Sequence, residues 1–230
     1  MRSCLSVERI PTADTSLRTW YLVRHGETEW NAASRMQGQL DSQLTPLGRV
    51  HAQSSAALLA RLGVDAIFAS PLGRVRETVA IVSADVPAPV VFDDRLKEWH
   101  SGDWSGERWA DLGEKWPDEF AAWQSDRWHA RSPGGENFVD LIERARSFFA
   151  DVSHVSAERI AIVAHGFMNR ALAAVLLGLA PVEALRLRQA NDVVIRIVLT
   201  GATVTSVDHF VSGEGPRPGL PIDHGQPQSA

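Results

Sequence analysis

The sequence is poor in cysteine and has no long apolar segment. Its single cysteine, Cys4, cannot form an intramolecular disulfide, which excludes the secreted proteins that depend on disulfides. No apolar run approaches the roughly 18 residues that cross a bilayer. Residues 1–19 mix charged with apolar residues and lack the uninterrupted apolar core of a signal peptide. We therefore expect a cytoplasmic protein with no membrane partner.

An excess of basic residues is also missing. The 230 residues include 23 Lys and Arg against 28 Asp and Glu, a formal net charge of -5. A protein that binds nucleic acid along a broad face needs a basic surface, so no nucleic-acid partner is expected. A few arginines concentrated at one place can still bind a small anion. The hydrophobic content of 44% is enough for one sizeable core.

Strand and helix patterns alternate along the chain. Short apolar runs predict strands at residues 20–23, 64–69, 90–92, 159–164, 193–199 and 203–207. Helical spacing begins at a Thr45 cap and stops at Gly63, and it recurs at residues 73–85 and 169–179. This alternation favours a three-layer α/β/α fold with a mostly parallel central sheet.

The chain is predicted to hold one domain, residues 20–211, between an N-terminal extension (1–19) and a Pro/Gly-rich tail (212–230). The tail is expected to form no regular element and to be mobile or draped on the surface. Residues 107–149 show no strand signal and predict two or three helices inserted over the active-site edge of the sheet. Six of the eight tryptophans lie between Trp99 and Trp128. An aromatic stripe recurs at helical spacing within this region: Trp109, Trp116, Phe120 and Trp123. It is interpreted either as core packing or as an aromatic wall against an apolar part of a substrate.

Chemically active side chains follow three of the predicted strands. Arg24 and His25 come after the first strand, Arg74 follows the second, and His165 follows the strand at 159–164. The carboxyl ends of parallel strands meet at one edge of a sheet, where open α/β folds bind ligands. Arginines match phosphate oxygens and a neutral imidazole can attack phosphorus, so the set points to phosphoryl transfer without an obligatory metal. Glu98, just past the third strand, is the candidate general acid.

A metal shared by the two histidines is the alternative for the same residues. It is the weaker interpretation, because no carboxylate stands at ligand spacing beside them. We therefore expect neither a metal nor another cofactor.

Several ordered motifs resemble those of the histidine phosphatase superfamily, which includes the cofactor-dependent phosphoglycerate mutases. The resemblance extends from about Trp20 to about Val211. Its motifs are residues 22–28 (LVRHGET), 35–38 (RMQG), 70–74 (SPLGR), 96–106 (LKEWHSGDWSG), 133–136 (PGGE) and 163–166 (VAHG). One such tripeptide would be weak evidence, whereas several in the right order are specific.

The resemblance implies a phosphohistidine on His25, with Glu98 first as general acid and then as activator of water. The implied catalytic residues are His25, Glu98 and His165, and the implied phosphate-binding residues are Arg24, Asn31, Gln37, Gly38, Arg74 and Gly166. Glu136 is expected to cap the helix that follows it, and Asn191 to lie near the pocket.

Two functions of this family compete. A phosphatase acting on a small phosphorylated metabolite passes the phosphoryl group to water, whereas a mutase returns it to a phosphoglycerate and needs cations for a second anion. Trp99 and Ser101 stand where the mutases resembled here carry Arg and Tyr, and no Arg-Arg dipeptide occurs. We therefore favour the phosphatase. The residues that could supply the second charge by another route are Arg108, Lys115, Arg127 and Arg131.

Two further expectations concern partners. A non-catalytic anion-binding module is a third alternative, but such a module would have lost the nucleophile or the acid, and His25 and Glu98 are both present. The strand at 193–199 is expected to be an edge that could pair with a second copy in a homodimer.

Overall fold

The computed structural model describes residues 16–222. A seven-stranded sheet, with strands in the order β3-β2-β4-β1-β5-β6-β7, forms its centre. The strands are β1 (Leu17–Arg24), β2 (Ala66–Ala69), β3 (Val90–Phe92), β4 (Arg159–Ala164), β5 (Val193–Thr200), β6 (Thr203–Val211) and β7 (Glu214–Pro218). The first four are mutually parallel and the last three are antiparallel to their neighbours.

Helices cover both faces of the sheet. They are α1 (Glu29–Ala32), α2 (Pro46–Leu62), α3 (Gly73–Asp85), α4 (Leu112–Lys115), α5 (Pro117–Ser125), α6 (Phe138–Val152), α7 (Gly166–Leu177) and α8 (Pro181–Arg186). Trp20 and Leu22 of β1 pack with α6 and α7, while Tyr21 and Val23 pack with α2 and α3. This alternation separates two apolar clusters, one on each face, and the predicted three-layer α/β/α fold is confirmed.

The best-predicted helix is α2, because its ends carry strong local signals. The Thr45 hydroxyl accepts a hydrogen bond from the amide of Gly48 (2.9 Å), and Pro46 occupies the first helical position. At the other end Gly63 adopts the left-handed conformation (φ 65°) that ends many helices.

The predictions for the two ends of the chain need correction. β1 begins at Leu17, inside the predicted extension, because Leu17 and Thr19 continue the ladder with β5 and β4. β7 lies in the tail that was expected to form no element. An edge strand forms ladder hydrogen bonds along one side alone, so the prolines of β7 are tolerated there. Residues 1–15 and 223–230 lie outside the described part of the chain.

The expectation of an edge strand at 193–199 is also wrong. β5 pairs with β1 on one side and with β6 on the other, and the outer strands of the sheet are β3 and β7. The local sequence could not show this, because the neighbours of β5 are set by pairing with β1, far away in the chain. A homodimer formed by pairing along β5 is therefore ruled out.

The predicted insertion contains short helices, but its end was placed wrongly. A 3-10 turn (Trp109–Asp111) leads into α4 and α5, as predicted. α6, however, runs beyond residue 149 and is one of the layer helices, with Leu141, Ala145 and Phe148 buried against the sheet. Within residues 16–222, no helix is both long and apolar enough to cross a membrane.

Candidate active site

Strand register brings the predicted site residues to one edge of the sheet. Val23 of β1 and Ala69 of β2 are both paired with Val163 of β4. One step further, the amide of His25 donates to the carbonyl of Ala164 (3.1 Å), and the amide of Ser70 donates to that of Val163 (3.0 Å). Three strands from distant parts of the chain therefore end side by side.

His25 has a defined tautomer. Its Nδ1 lies 2.8 Å from the carbonyl oxygen of Gly26, which can accept but not donate, so Nδ1 carries the proton. Its Nε2 accepts a hydrogen bond from Nε of Arg74 (3.2 Å). Burial, followed by the positive charges of Arg74 and Arg24, holds the pKa of His25 well below its usual value. The ring is therefore neutral near pH 7, and its Nε2 lone pair accepts the hydrogen bond from Arg74.

His165 lies behind His25, with 5.3 Å between the ring centroids. It is fully buried, and its Nε2 is 2.8 Å from the hydroxyl of Ser70. Burial comes first and the charge of Arg74 second in lowering its pKa well below the usual value. His165, which the resemblance implies to be catalytic, does not line the cavity described below.

Arg74 is held by four fixed oxygen and nitrogen partners. Besides His25, its guanidinium contacts the carbonyls of Leu40 (2.6 Å) and Gly38 (2.8 Å) and the carboxylate of Asp41 (2.9 Å). The side chain is almost fully buried, so its orientation is determined before any ligand binds. Arg76, two residues later, is exposed and lies over the ring of Phe92.

Arg24 is the second guanidinium at this edge. One terminal nitrogen donates to the carbonyl of Gln189 (2.8 Å), while its Nε has no partner within residues 16–222. Burial is the main cause that lowers its pKa, with Glu98 opposing. A buried donor without a partner is unfavourable, and an anion at this position would satisfy it.

Short polar contacts fix the residues at the entrance of the cavity that His25 and Arg74 line. Asn31 accepts from the backbone amide of Thr28 (3.2 Å), and Gln37 donates to the Thr28 hydroxyl (2.8 Å). Gly38 has φ +52°, and a Cβ there would lie 2.2 Å from the hydroxyl oxygen of Ser101. Asn191 donates to the carbonyl of His25 (2.8 Å), as expected of a polar residue near the pocket.

The carboxylate of Glu98 is bound at the N-terminus of α7. Its Oε1 accepts hydrogen bonds from the amides of Trp99 (2.9 Å) and Met168 (3.1 Å), and its Oε2 accepts one from Phe167 (3.3 Å). α7 starts directly after His165. The hydrogen bonds from Phe167 and Met168 therefore hold Glu98 near the strand end that carries the second histidine.

These groups surround a cavity of about 130 Å³, here called the phosphate pocket. Eight of the nine residues named as catalytic or phosphate-binding line it, and His165 is the exception. The eight are Arg24, His25, Asn31, Gln37, Gly38, Arg74, Glu98 and Gly166. An imidazole, the carboxylate of Glu98 and four arginines, Arg24, Arg35, Arg74 and Arg170, thus line a space the size of a small anion.

Glu136 does something other than predicted. The cap of α6 is Asn137, which exchanges hydrogen bonds with Asp140. Glu136 instead accepts from the amide of His100 (2.8 Å) and from Arg144 (2.9 Å). Arg144 also donates to the carbonyls of Lys97 and Glu98, so the pair holds the loop that carries the acid. Local sequence could not distinguish two adjacent capping candidates.

A second, larger cavity of about 640 Å³ adjoins the phosphate pocket, and we call it the outer cavity. The two share Arg24, Trp109, Phe167, Arg170 and Gln189. The residues that line the outer cavity alone include Phe120, Trp123, Gln124, Arg127, Leu185 and Arg188.

The core-packing interpretation of the stripe is supported, because Trp123 is buried in the core and Trp109, Trp116 and Phe120 pack against it. Contact of the stripe with a substrate stays a prediction. Trp99 and Trp104 are buried in the core, where their rings meet edge to face. Trp109 and Trp123 pack on each other at 5.7 Å and also form part of the wall of the outer cavity.

Sequence reasoning missed Arg170 and Arg188 in the outer cavity. Arg170 had a signal, because it lies one helical turn after Gly166 and therefore on the same face of α7. Arg188 follows α8 in a loop, and nothing in the local sequence pointed to it. Of the four basic residues named for a second anion, Arg127 lines this cavity, while Lys115 pairs with Glu107. Arg131 pairs with Asp140, and Arg108 is exposed.

A search for metal ligands gives no candidate: within residues 16–222, no three His, Cys, Asp or Glu side chains lie close enough together to hold an ion.

The geometry agrees with comparisons to known proteins. A model of the histidine phosphatase superfamily, branch 1, matches residues 20–211. The chain belongs to this superfamily. It is 38% identical over 176 residues to glucosyl-3-phosphoglycerate phosphatase from Mycolicibacterium vanbaalenii, covering 73% of this chain and 77% of that one.

Other superfamily members are named for different functions. "Probable phosphoglycerate mutase GpmB" from Escherichia fergusonii is 35% identical over 181 residues, covering 77% of this chain and 83% of that protein. The solved structure of the alpha-ribazole phosphatase from Shigella flexneri superposes with a TM-score of 0.76 at 29% identity. It covers 81% of this chain and 93% of that one. Superfamily membership therefore establishes the family and leaves the substrate open.

Proposed function

We propose that this protein is a phosphomonoester hydrolase that acts through a covalent phosphohistidine on Nε2 of His25. The observation that carries the proposal is the phosphate pocket: His25, Arg24, Arg74 and Glu98 converge on about 130 Å³. Curated relatives named as phosphatases support it.

In the first step the ester phosphate binds between Arg24 and Arg74, which neutralise its charge. Nε2 of His25 attacks phosphorus, the N–P bond forms and the bond from phosphorus to the ester oxygen breaks. The departing oxygen takes a proton from the carboxylic acid form of Glu98. Nδ1–H donates to the Gly26 carbonyl and so stabilises the positive charge that develops on the ring.

In the second step a water molecule attacks the phosphoryl group and gives its proton to the carboxylate of Glu98. The N–P bond breaks, inorganic phosphate leaves and His25 returns to its neutral form. His165 packs behind the ring of His25 and is itself held by the hydroxyl of Ser70. The reaction as written needs no metal, because the arginines supply the positive charge.

The mutase is the second candidate, and the arginines of the outer cavity are the observation that favours it. Against it, Trp99 and Ser101 provide no charge. The Trp99 indole donates to the carbonyl of Glu136 (2.6 Å), and the Ser101 hydroxyl bonds that of Ser105 (2.8 Å). The phosphatase is therefore the function that the site supports best, acting on a small phosphorylated metabolite.

The test compares two assays on the full chain. Phosphate release is measured from a panel of phosphate esters in the presence of a chelator, and interconversion of 3- and 2-phosphoglycerate is measured with the bisphosphate primer. We expect release from the panel, negligible interconversion and an acid-labile phosphoenzyme on rapid quenching. Efficient interconversion would establish mutase activity instead. An absence of turnover in both assays would overturn the proposal that this protein catalyses phosphoryl transfer.

A further inference from the structure

The outer cavity contains more positive charge than a route for an apolar leaving group requires. Arg127, Arg170 and Arg188 line it, and Arg24 lies where it meets the phosphate pocket. Four guanidiniums around one space repel each other, and folding alone gives no reason to place them there.

Arg170 is the central residue of this group. It lines both cavities, its guanidinium lies 4.8 Å above the ring of Phe167, and its Nε has no hydrogen-bond partner within residues 16–222. Burial, then the charges of Arg188 and Arg24, lower its pKa to about 9, and Glu98 opposes this only in part. An anion that binds beside such a guanidinium stabilises its charged form.

Arg127 faces the same space from the inserted helices. Its guanidinium lies 4.7 Å above the ring of Trp123. Burial and the charge of Arg188 lower the pKa of Arg127, and both residues line the outer cavity. The cavity thus has a cationic side formed from three separate segments: the turn after α5, helix α7 and the loop after α8.

We propose that the outer cavity binds a second anionic group of the substrate, a carboxylate or a phosphate, through Arg170 and Arg127. This rests on the proposed function, because it assumes that the first phosphate occupies the adjoining pocket. The substrate class is then a phosphomonoester whose leaving group ends in an anion.

The aromatic side of the cavity defines what connects the two anions. Trp109, Phe120 and Phe167 line the wall. Aromatic faces bind rings and C–H groups, so the leaving group carries a ring or an extended carbon skeleton between its two charges.

The experiment measures binding without turnover, using phosphonates whose P–C bond cannot be hydrolysed. Calorimetry gives Kd for phenylphosphonate, 4-carboxyphenylphosphonate and 1,4-phenylenediphosphonate. We expect at least one of the two probes with a second anionic group to bind wild-type protein at least about tenfold tighter than phenylphosphonate does. The preferred one of the two shows whether the second group is a carboxylate or a phosphate.

Arg170→Gln and, independently, Arg127→Gln are expected to reduce that preference to within about twofold. Arg146→Gln, which removes the same charge from an exposed position on α6, is the matched control and should keep it. The ratio of two Kd values within one variant cancels any general weakening of the pocket. Equal preference in wild type and both cavity variants would overturn the subsite.

Phosphate release from the corresponding esters separates this inference from the proposed function. If the esters are hydrolysed but the preference for the second anion is absent, the subsite fails and the hydrolase stands. If the preference is present and depends on Arg170 while no ester is hydrolysed, the subsite stands and the hydrolase fails.

Discussion

The phosphate pocket and the outer cavity are neighbours with opposite construction. In the pocket, Arg74 and Glu98 are held by backbone carbonyls and amides, and His25 has one tautomer. In the outer cavity, Arg127 and Arg170 lie over aromatic rings and are fixed far less by hydrogen bonds. A reaction common to many substrates needs fixed geometry, whereas selection among substrates needs a surface that can vary. If the two proposals are correct, chemistry and specificity use different kinds of contact in this protein.

The largest expected effect is on the phosphate pocket. His25→Ala removes the nucleophile, so turnover and phosphoenzyme should fall together, by a factor on the order of 10⁴ or more. Quenched-flow trapping of labelled enzyme and steady-state phosphate release measure both. His154→Ala changes an exposed histidine and should be silent. A His25→Ala variant with full activity would contradict the mechanism.

Glu98→Gln tests the acid in the same pocket. The amide cannot donate the proton, so alkyl phosphates, whose leaving oxygen needs it, should lose roughly 10² to 10⁴ in kcat. Aryl phosphates with good leaving groups should lose far less in the phosphorylation step. The comparison of the two ester classes in single-turnover experiments is the measurement. Equal losses for both would show that Glu98 acts in some other way.

The buried histidines also predict a dependence of stability on pH. Their pKa values are lowered in the folded state, while the unfolded chain titrates near 6.5. The contribution of these two histidines to the free energy of unfolding is therefore fully present above about pH 6.5. It decreases as pH falls, by up to about 1.4 kcal/mol per pH unit for each histidine. His165→Gln should flatten the curve of unfolding free energy against pH by about that slope. Urea titrations from pH 7 to 5 measure it.

The control for that series is His154→Gln, which should leave the slope unchanged because the side chain is exposed. A His165→Gln slope equal to that of wild type would mean that the ring is protonated in the folded protein.

The smallest expected effect concerns the outer cavity. Phe120→Ala removes part of the aromatic wall and should raise KM for naphthyl phosphate roughly threefold to tenfold. Glycerol phosphate, which is too small to reach the wall, should keep its KM. Phe92→Ala on the exposed edge strand is the matched control. An equal rise for both esters would remove the distinction between the two cavities.

Prediction from the sequence succeeded where short-range signals act. The ends of α2 follow from Thr45, Pro46 and Gly63, and the pocket follows from residues placed directly after buried strands. It failed for β5 and β7, because strand neighbours are determined by pairing across long separations. Arg188 lies in a loop without a motif, so the local sequence could not place it at the outer cavity either.

The hydrogen bonds at the start of α7 have a consequence for proton transfer. The amides of Phe167 and Met168 donate hydrogen bonds to the carboxylate of Glu98 at the positive end of the helix. In the mechanism that we propose, Glu98 gives its proton to the leaving oxygen, and these amides then contact the negative charge left behind. The N-terminus of α7 would thus lie next to the charge that the proposed reaction produces. The same helix connects Glu98 through hydrogen bonds to the strand end that carries His165.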